Sequence, residues 1–275
     1  MKINADGLFL KGGEHVVCED YALFSKEGEL PFAIICDGCS GSKYTSVGAR
    51  IIAHACRTVL LEMEDYERAH VSHAELGLKI INKAYEASLI LHEQNDMLDA
   101  TLICAFADQI NERIIVMVYG DGSVTWKDRS GAVKHMSVDF PSGYPRYLSY
   151  LLSPSRQQLF EQMSSDGMNQ NWVTLGEEPE AINMGVTEPT YVIIPMNDVQ
   201  WVMVCSDGLD TFTDSAASRR ISKNEVLTEL SNVKGLHGEF ISRRVNRMVK
   251  QYQKEGVMHG DDLSVAGLSL LVEEA

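Results

Sequence analysis

The sequence predicts a layered α+β fold, with antiparallel sheets and helices packed against their outer faces. Three observations predict it. A series of segments rich in β-branched and aromatic residues reads as strands. These segments mostly follow one another through short, hairpin-like connections. Two long amphipathic patterns come together after the first strands, and another pair comes near the end.

The elements follow in order. Strands are expected over residues 6–10, 16–24 and 31–36. A first helix over 45–66 carries Val47, Ile51, Ala55, Val59 and Met63 at helical spacing. A second, over 73–93, follows Ser72, and Ser72 to Glu75 spells a capping box. Strands are expected over 100–107, 113–119, 123–127 and 132–136. In RIIVMVYGDGSVTWKD the Asp121-Gly122 pair suggests a tight hairpin turn. Residues 137–189 differ in texture, with Pro141, Pro145, Pro154, Pro179 and Pro189 and one short helical pattern near 155–164. Strand-like runs resume at Tyr191, so this stretch reads as an excursion from the sheet within one domain spanning 1–275. Long excursions often border functional clefts. Strands over 190–195 and 200–205 follow. Ser222 to Glu225 repeats the capping box before a helix over 223–232. A helix over 239–254 puts Phe240, Ile241, Val245, Met248, Val249 and Tyr252 on one face, and its basic residues read as a solvated face. The last strand covers 263–272.

Composition narrows the function classes. A chain of 275 residues with 45% hydrophobic and 23% charged residues is of the ordinary soluble type. No apolar stretch approaches the roughly 20 residues of a membrane span. The opening MKINADGLFLKGGEH has no signal-peptide core, so a cytoplasmic location is expected. A net charge of −15 argues against nucleic-acid binding, which rests on basic phosphate contacts. The same charge means that a phosphorylated ligand needs cations or local arginines. The six cysteines fall mostly in apolar or helical runs, where thiols act as small hydrophobes. Cys36 and Cys39 spell C-x-x-C, but no second pair completes a four-cysteine zinc site.

The chemistry-bearing pattern is a set of acids where buried strands end. In AIICDGCSGS the apolar run stops at Asp37. Asp121 ends IIVMVYG, and Asp207 ends WVMVCS. Asp261 and Asp262 precede LSVAGLSLLV, and Glu19 and Asp20 lie within VVCEDYALF. Acids are rarely buried unless paired or metal-bound. These strand ends hold almost no Arg or Lys, so a compensating cation is expected if the acids meet. Carboxylate oxygens select hard cations: magnesium, manganese or calcium. The alternative is a set of independent Asp-Gly turns scattered round the fold, since composition alone does not bring the acids together.

Five segments widen the case: VVCEDYALF, CDGCSGS with Gly48 beyond it, DATLICAF followed by VYGDGSV, CSDGLDTFTD, and HGDDLSVAGLSL. In this order they resemble the metal-dependent protein phosphatase family, the 2C type, in its bacterial form. The resemblance spans nearly the whole chain. It implies an α-β-β-α sandwich, two stacked antiparallel sheets flanked by helix pairs, with the strand ends meeting at a cleft holding two Mn2+ or Mg2+ ions. By matching position, Asp37 bridges both ions, and Asp207 and Asp261 complete one. The carbonyl of Gly38 binds the other, with Glu19 and Asp20 acting partly through water. Asp121 and Asp207 form a third-ion site, and Gly38 and Gly208 leave room beside the ions. The implied reaction is in-line attack of a metal-bridging water on a phosphate monoester. The implied substrate is a protein phosphorylated on serine or threonine, with an opposing kinase as a further partner.

Two departures stand out. His15 occupies the place of a phosphate-holding arginine, and Cys39 that of a histidine carried by eukaryotic members. His15 is a candidate phosphate donor or general acid, with a purely structural role as the alternative. Residues 137–189 occupy the place of the family's flap. There Arg146 is a candidate phosphate clamp, and Tyr144 and Tyr147 are either substrate contacts or aromatic packing. Two other functions stay open: a phosphatase-fold module that binds a phosphorylated partner with little or no turnover, and hydrolysis of a small phosphate ester.

Overall fold

The computed structural model describes residues 2–91, 95–166, 168, 171–175, 179–182 and 186–271. Along the chain come β1 (Lys2–Leu10), β2 (Tyr21–Phe24), β3 (Phe32–Cys36), α1 (Thr45–Glu62), α2 (Asp65–His70) and α3 (His73–Ser88). Next are β4 (Leu102–Asp108), β5 (Arg113–Tyr119), β6 (Gly122–Asp128), β7 (Val133–Asp139), α4 (Pro154–Ser165), β8 (Asn171–Leu175) and β9 (Pro179–Ile182). The remainder is β10 (Thr190–Pro195), β11 (Val199–Cys205), β12 (Phe212–Asp214), β13 (Arg219–Arg220), α5 (Lys223–Leu230), α6 (Phe240–Lys254), β14 (Val257–His259) and β15 (Leu263–Leu271). One sheet has the order β1-β15-β11-β6-β7-β8-β9, the other β10-β5-β4-β3-β2, and β13-β12-β14 form a small third sheet. Among the described residues no helix is long and apolar enough to cross a membrane.

Side-chain alternation explains the stacking. In β3, Ala33 and Ile35 enter the layer between the large sheets, while Phe32, Ile34 and Cys36 face α1 and α3. In β11, Val202 and Val204 enter the same inner layer, while Trp201, Met203 and Cys205 face α5 and α6. Each strand is thus buried on both faces, which is why these runs are apolar without a break. The result is the α-β-β-α sandwich: α1 and α3 cover the five-stranded sheet, and α5 and α6 cover the seven-stranded one.

Several expectations change. The 16–24 strand begins only at Tyr21, because Glu19 donates its amide to the Asp262 carboxylate and takes no ladder partner before that point. Asp121-Gly122 is not a hairpin turn. Strand β5 belongs to the five-stranded sheet and β6 to the seven-stranded one, so this junction crosses between sheets. Gly120 and Gly122 make the crossing at φ 91° and 134°, which side chains rarely tolerate. The first helix stops at Glu62 and restarts as α2. The second stops at Ser88, and the last positions expected of it, 92–93, lie outside the described residues, as does 272 of the final strand. The excursion over 137–189 contains α4 and two strands, β8 and β9, that extend the seven-stranded sheet beyond β7. Residues 167, 169–170, 176–178 and 183–185 within it lie outside the described residues.

Candidate active site

Ladder register brings the strand-end acids to one place. Asp20 and Asp37 each lie one residue beyond the Tyr21–Cys36 pair of β2 and β3. On the facing sheet, Asp207 follows β11, whose Cys205 pairs with Ser123 of β6 and Val265 of β15. Asp121 precedes β6 and Asp261 precedes β15. Asp37 comes within hydrogen-bond reach of both the Asp20 and the Asp207 carboxyls. Asp207 in turn feels the charges of Asp261 and Asp210, and Asp121 that of Asp207.

The turn after β3 is held from both sides. The Asp37 amide donates to Thr101 Oγ1 at 3.0 Å, and the Thr101 amide donates to the Asp37 carbonyl at 2.8 Å. Gly38 forms an isolated bridge with Ala100, and the Cys39 amide donates to the Asp99 carbonyl. The Asp99 carboxylate accepts from Ser42 (3.0 Å), Ser149 (2.5 Å) and Arg156 (2.8 Å). It therefore ties the turn to the excursion.

Burial and mutual repulsion dominate the acids. Asp20 is fully buried, and burial is the main cause that pushes its carboxyl up to about 7, although Ser206 Oγ donates to its Oδ2 at 2.8 Å. Burial, then the charge of Asp207, pushes Asp121 up to about 7. Burial, then the charges of Asp20 and Asp207, drives Asp37 well above the usual carboxylate range. Asp207 is raised as well, chiefly by burial. Such a group is costly unless something neutralises it.

The loop before β2 is organised by Asp262, which is 2% exposed. Its Oδ1 accepts the Gly12 amide and its Oδ2 the Glu19 amide, both at 2.6 Å. His15 lies between two acids. Its Nδ1 is 3.1 Å from Asp262 Oδ2 and its Nε2 is 3.1 Å from Asp261 Oδ1. Both ring nitrogens thus face carboxylates, beside the site. Glu19 accepts from the buried Thr45 hydroxyl at 2.8 Å, which links the loop to the start of α1.

The glycines answer to backbone contacts. A Cβ on Gly38 meets Thr45 at 2.9 Å, and one on Gly208 meets the Asp262 carbonyl oxygen at 1.9 Å. Gly208→Ala therefore has to push the Asp207 turn away from the β15 entry. It is expected to lose about 2–4 kcal/mol of stability, read as a lower midpoint in urea unfolding. A midpoint equal to wild type contradicts this reading.

Other expected residues divide. Arg146 is 1% exposed, donates to Thr190 Oγ1 at 3.4 Å and feels Tyr119 and Glu188, so it is walled off from any substrate phosphate. Tyr144 is exposed, whereas Tyr147 is buried and reaches Cys39, Asp121 and Asp37. Cys36 is buried in the α1 layer and Cys39 partly exposed; both thiols are free. Sequence reasoning missed Asp262 as the anchor of the loop. It also missed Lys223, whose Nζ lies 2.7 Å from Asp139 and 2.8 Å from Asp210. The Asp262 signal was present in its position beside Asp261; Lys223 falls inside the Ser222–Glu225 capping box, which marks only a helix start and does not point to the site.

The donor set suits a hard divalent cation. Among the described residues no three His, Cys, Asp or Glu side chains form a ready-made cage. Two individual atoms carry the test of fit. Asp20 Oδ1 and Asp207 Oδ1 are buried acceptors without a hydrogen-bond partner. Buried oxygens left so are rare, and carboxylate oxygens are the ligands magnesium and manganese prefer.

The family model for protein phosphatase 2C matches residues 13–254. No curated protein sequence matches. Among solved structures, a bacterial serine phosphatase is similar at a TM-score of 0.60 and 14% identity, covering 100% of both chains. The serine/threonine phosphatase Stp1 from Staphylococcus aureus is similar at a TM-score of 0.58 and 13% identity, over 99% of this chain and 96% of that one. The serine/threonine phosphatase PstP/Ppp from Mycobacterium tuberculosis is similar at 0.56 and 14%, over 98% and 99%. At these identities the structural likeness speaks to the fold alone.

Proposed function

The chain belongs to the protein phosphatase 2C family, and on that premise we propose that it hydrolyses phosphoserine and phosphothreonine esters on a protein substrate with Mn2+ or Mg2+. One observation carries the reading: acids from five separate strand ends meet at one mouth, and two of their buried oxygens lack partners. Asp37, Asp207, Asp261, Asp20, Glu19 and the Gly38 carbonyl are the groups that would hold the ions, with Asp121 at one edge. Bound divalent ions supply positive charge for the phosphoryl oxygens and lower the pKa of a coordinated water.

The chain's own groups do the rest. Thr101 fixes the Asp37 backbone, and Ser206 aims Asp20 by holding one oxygen and leaving the other free. Asp262 fastens the loop that carries His15 and Glu19. His15, whose ring nitrogens lie 3.1 Å from Asp261 and from Asp262, is that loop's candidate donor to a phosphate or leaving oxygen. Its nitrogens already face Asp261 and Asp262, so it offers no arginine-like fork. That arrangement favours, as a second reading, a module that binds a phosphorylated partner and turns over slowly.

Hydrolysis of an aryl phosphate separates the two. Catalysis is expected to require manganese or magnesium and to stop with chelator. His15→Arg is expected to lower KM for a phosphopeptide by several-fold through bidentate contact. No hydrolysis at any metal concentration, together with phosphopeptide binding, favours the binding module.

A further inference from the structure

None of the strand-end motifs accounts for the Lys223 ammonium, and its surroundings are unusual. The side chain is only 17% exposed, and its Nζ bridges Asp139 Oδ1 at 2.7 Å and Asp210 Oδ2 at 2.8 Å. One of these acids faces Asp121 across the end of the β6–β7 ladder, and the other shares a turn with Asp207. Asp139 and Asp121 each stand one residue beyond the Gly122–Val138 pair that closes the β6–β7 ladder. Asp210 and Asp207 share a single 3-10 turn, Asp207–Thr211. One ammonium therefore spans the two edges that must keep Asp121 and Asp207 in register.

Lys223 also breaks a local rule. It is the first residue of α5, directly after Ser222, which makes a full capping box with Glu225. The positive end of the helix dipole disfavours a cation there, by about 0.3–1 kcal/mol at an exposed site. A residue that opposes its own helix and is pinned by two acids points to a role outside the helix. Its charge also acts on Asp121 and Asp207, lowering both against the larger upward push of burial.

We propose that Lys223 is a positioning residue that clamps the Asp121 and Asp207 edges of the site and provides there, as a fixed ammonium, the charge a divalent ion would otherwise bring. This rests on the metal-dependent reading above. Four acids, Asp121, Asp139, Asp207 and Asp210, share this corner with one lysine. Removing the lysine leaves acceptors suited to a hard cation.

The test is manganese binding to the metal-free full chain, followed by calorimetry and by the electron paramagnetic resonance signal of free Mn2+. Lys223→Gln and Lys223→Met are expected to bind one further ion per chain, or to tighten the weakest binding step by about tenfold, as loss of a nearby unit charge allows. Lys223→Arg, which keeps the charge, is expected to match wild type. If folded Lys223→Gln and Lys223→Met keep the wild-type stoichiometry and affinities, or if Lys223→Arg behaves as they do, this inference alone fails. If wild type binds no manganese, the metal-dependent reading fails and takes the inference with it. Either neutral variant suffices, and Met preserves most of the buried stem should Gln disturb folding.

Discussion

Asp37→Asn is expected to reduce phosphomonoester hydrolysis by at least about 1,000-fold and at the same time to raise the melting temperature of the metal-free protein. Both effects follow from one position. Asp37 sits between Asp20 and Asp207, and burial with their two charges holds its carboxyl well above the usual range. In the metal-free chain an amide of the same shape removes a charge that the fold disfavours, so stability increases. On the proposed reading the amide removes an anionic oxygen from the groups that would hold the ions, so catalysis is expected to collapse. Asp207→Asn is expected to behave alike, because Asp207 is raised by the same cause and has one buried oxygen without a partner. Steady-state rates with saturating manganese and thermal melts in chelator measure the two effects. Undiminished turnover in either variant sinks the assignment. Lost turnover with lower stability in chelator points instead to a structural role for the side chain.

The second large effect concerns pH. Without metal, the protein is expected to melt about 3–6 °C higher at pH 6.5 than at pH 8. The sign follows from Asp20 and Asp121, both raised to about 7 from the ordinary carboxyl value of 3.8. A raised carboxyl contributes stability that is complete below the unfolded value and is lost as pH rises through the folded one. From pH 6.5 to 8 both groups ionise in the native state, while the unfolded chain is already ionised. The loss amounts to roughly 1–2 kcal/mol for the pair, which corresponds to the stated shift for a chain of this size. His54 and His73 are held below the imidazole range chiefly by burial and act in the opposite sense: at pH 6.5 the unfolded imidazoles are about half protonated, which offsets part of this loss and places the expected shift toward the lower end of its range. Saturating manganese should reverse the trend, because metal binds the deprotonated acids and stabilises most at the higher pH. A melting temperature flat across the window in chelator contradicts the raised acids. An equal manganese effect at both pH values contradicts their role as ligands.

Much of this was legible before any coordinates. The apolar runs of β3 and β11 mark strands buried on both faces, because nothing polar interrupts them. The two Ser-x-x-Glu signatures mark helix starts: Ser222 makes the reciprocal box, and Ser72 accepts the Glu75 amide at 3.2 Å. Less was legible where structure depends on a distant partner. Residues 16–20 look like strand yet form a loop, since Asp262, more than 240 positions away, holds them. Asp121-Gly122 reads as a hairpin because a two-residue turn and a sheet-to-sheet crossing use the same glycine conformations. Strands β8 and β9 escaped notice because they lie at one end of the sheet, among turn residues.

Local chemistry written into the chain determined which residues end the strands, that those ends carry carboxylates, and that such a set calls for a compensating cation if its members meet. Proximity was another matter. Whether Asp37 meets Asp207, whether Arg146 faces a ligand or the interior, and which cation lies beside Asp121 depend on strand register and on how two sheets stack. Those are long-range contacts, and composition and periodicity report only on neighbours a few residues apart. The tertiary structure therefore decided the gathering of the acids, the burial of Arg146 and the bridge of Lys223 between Asp139 and Asp210.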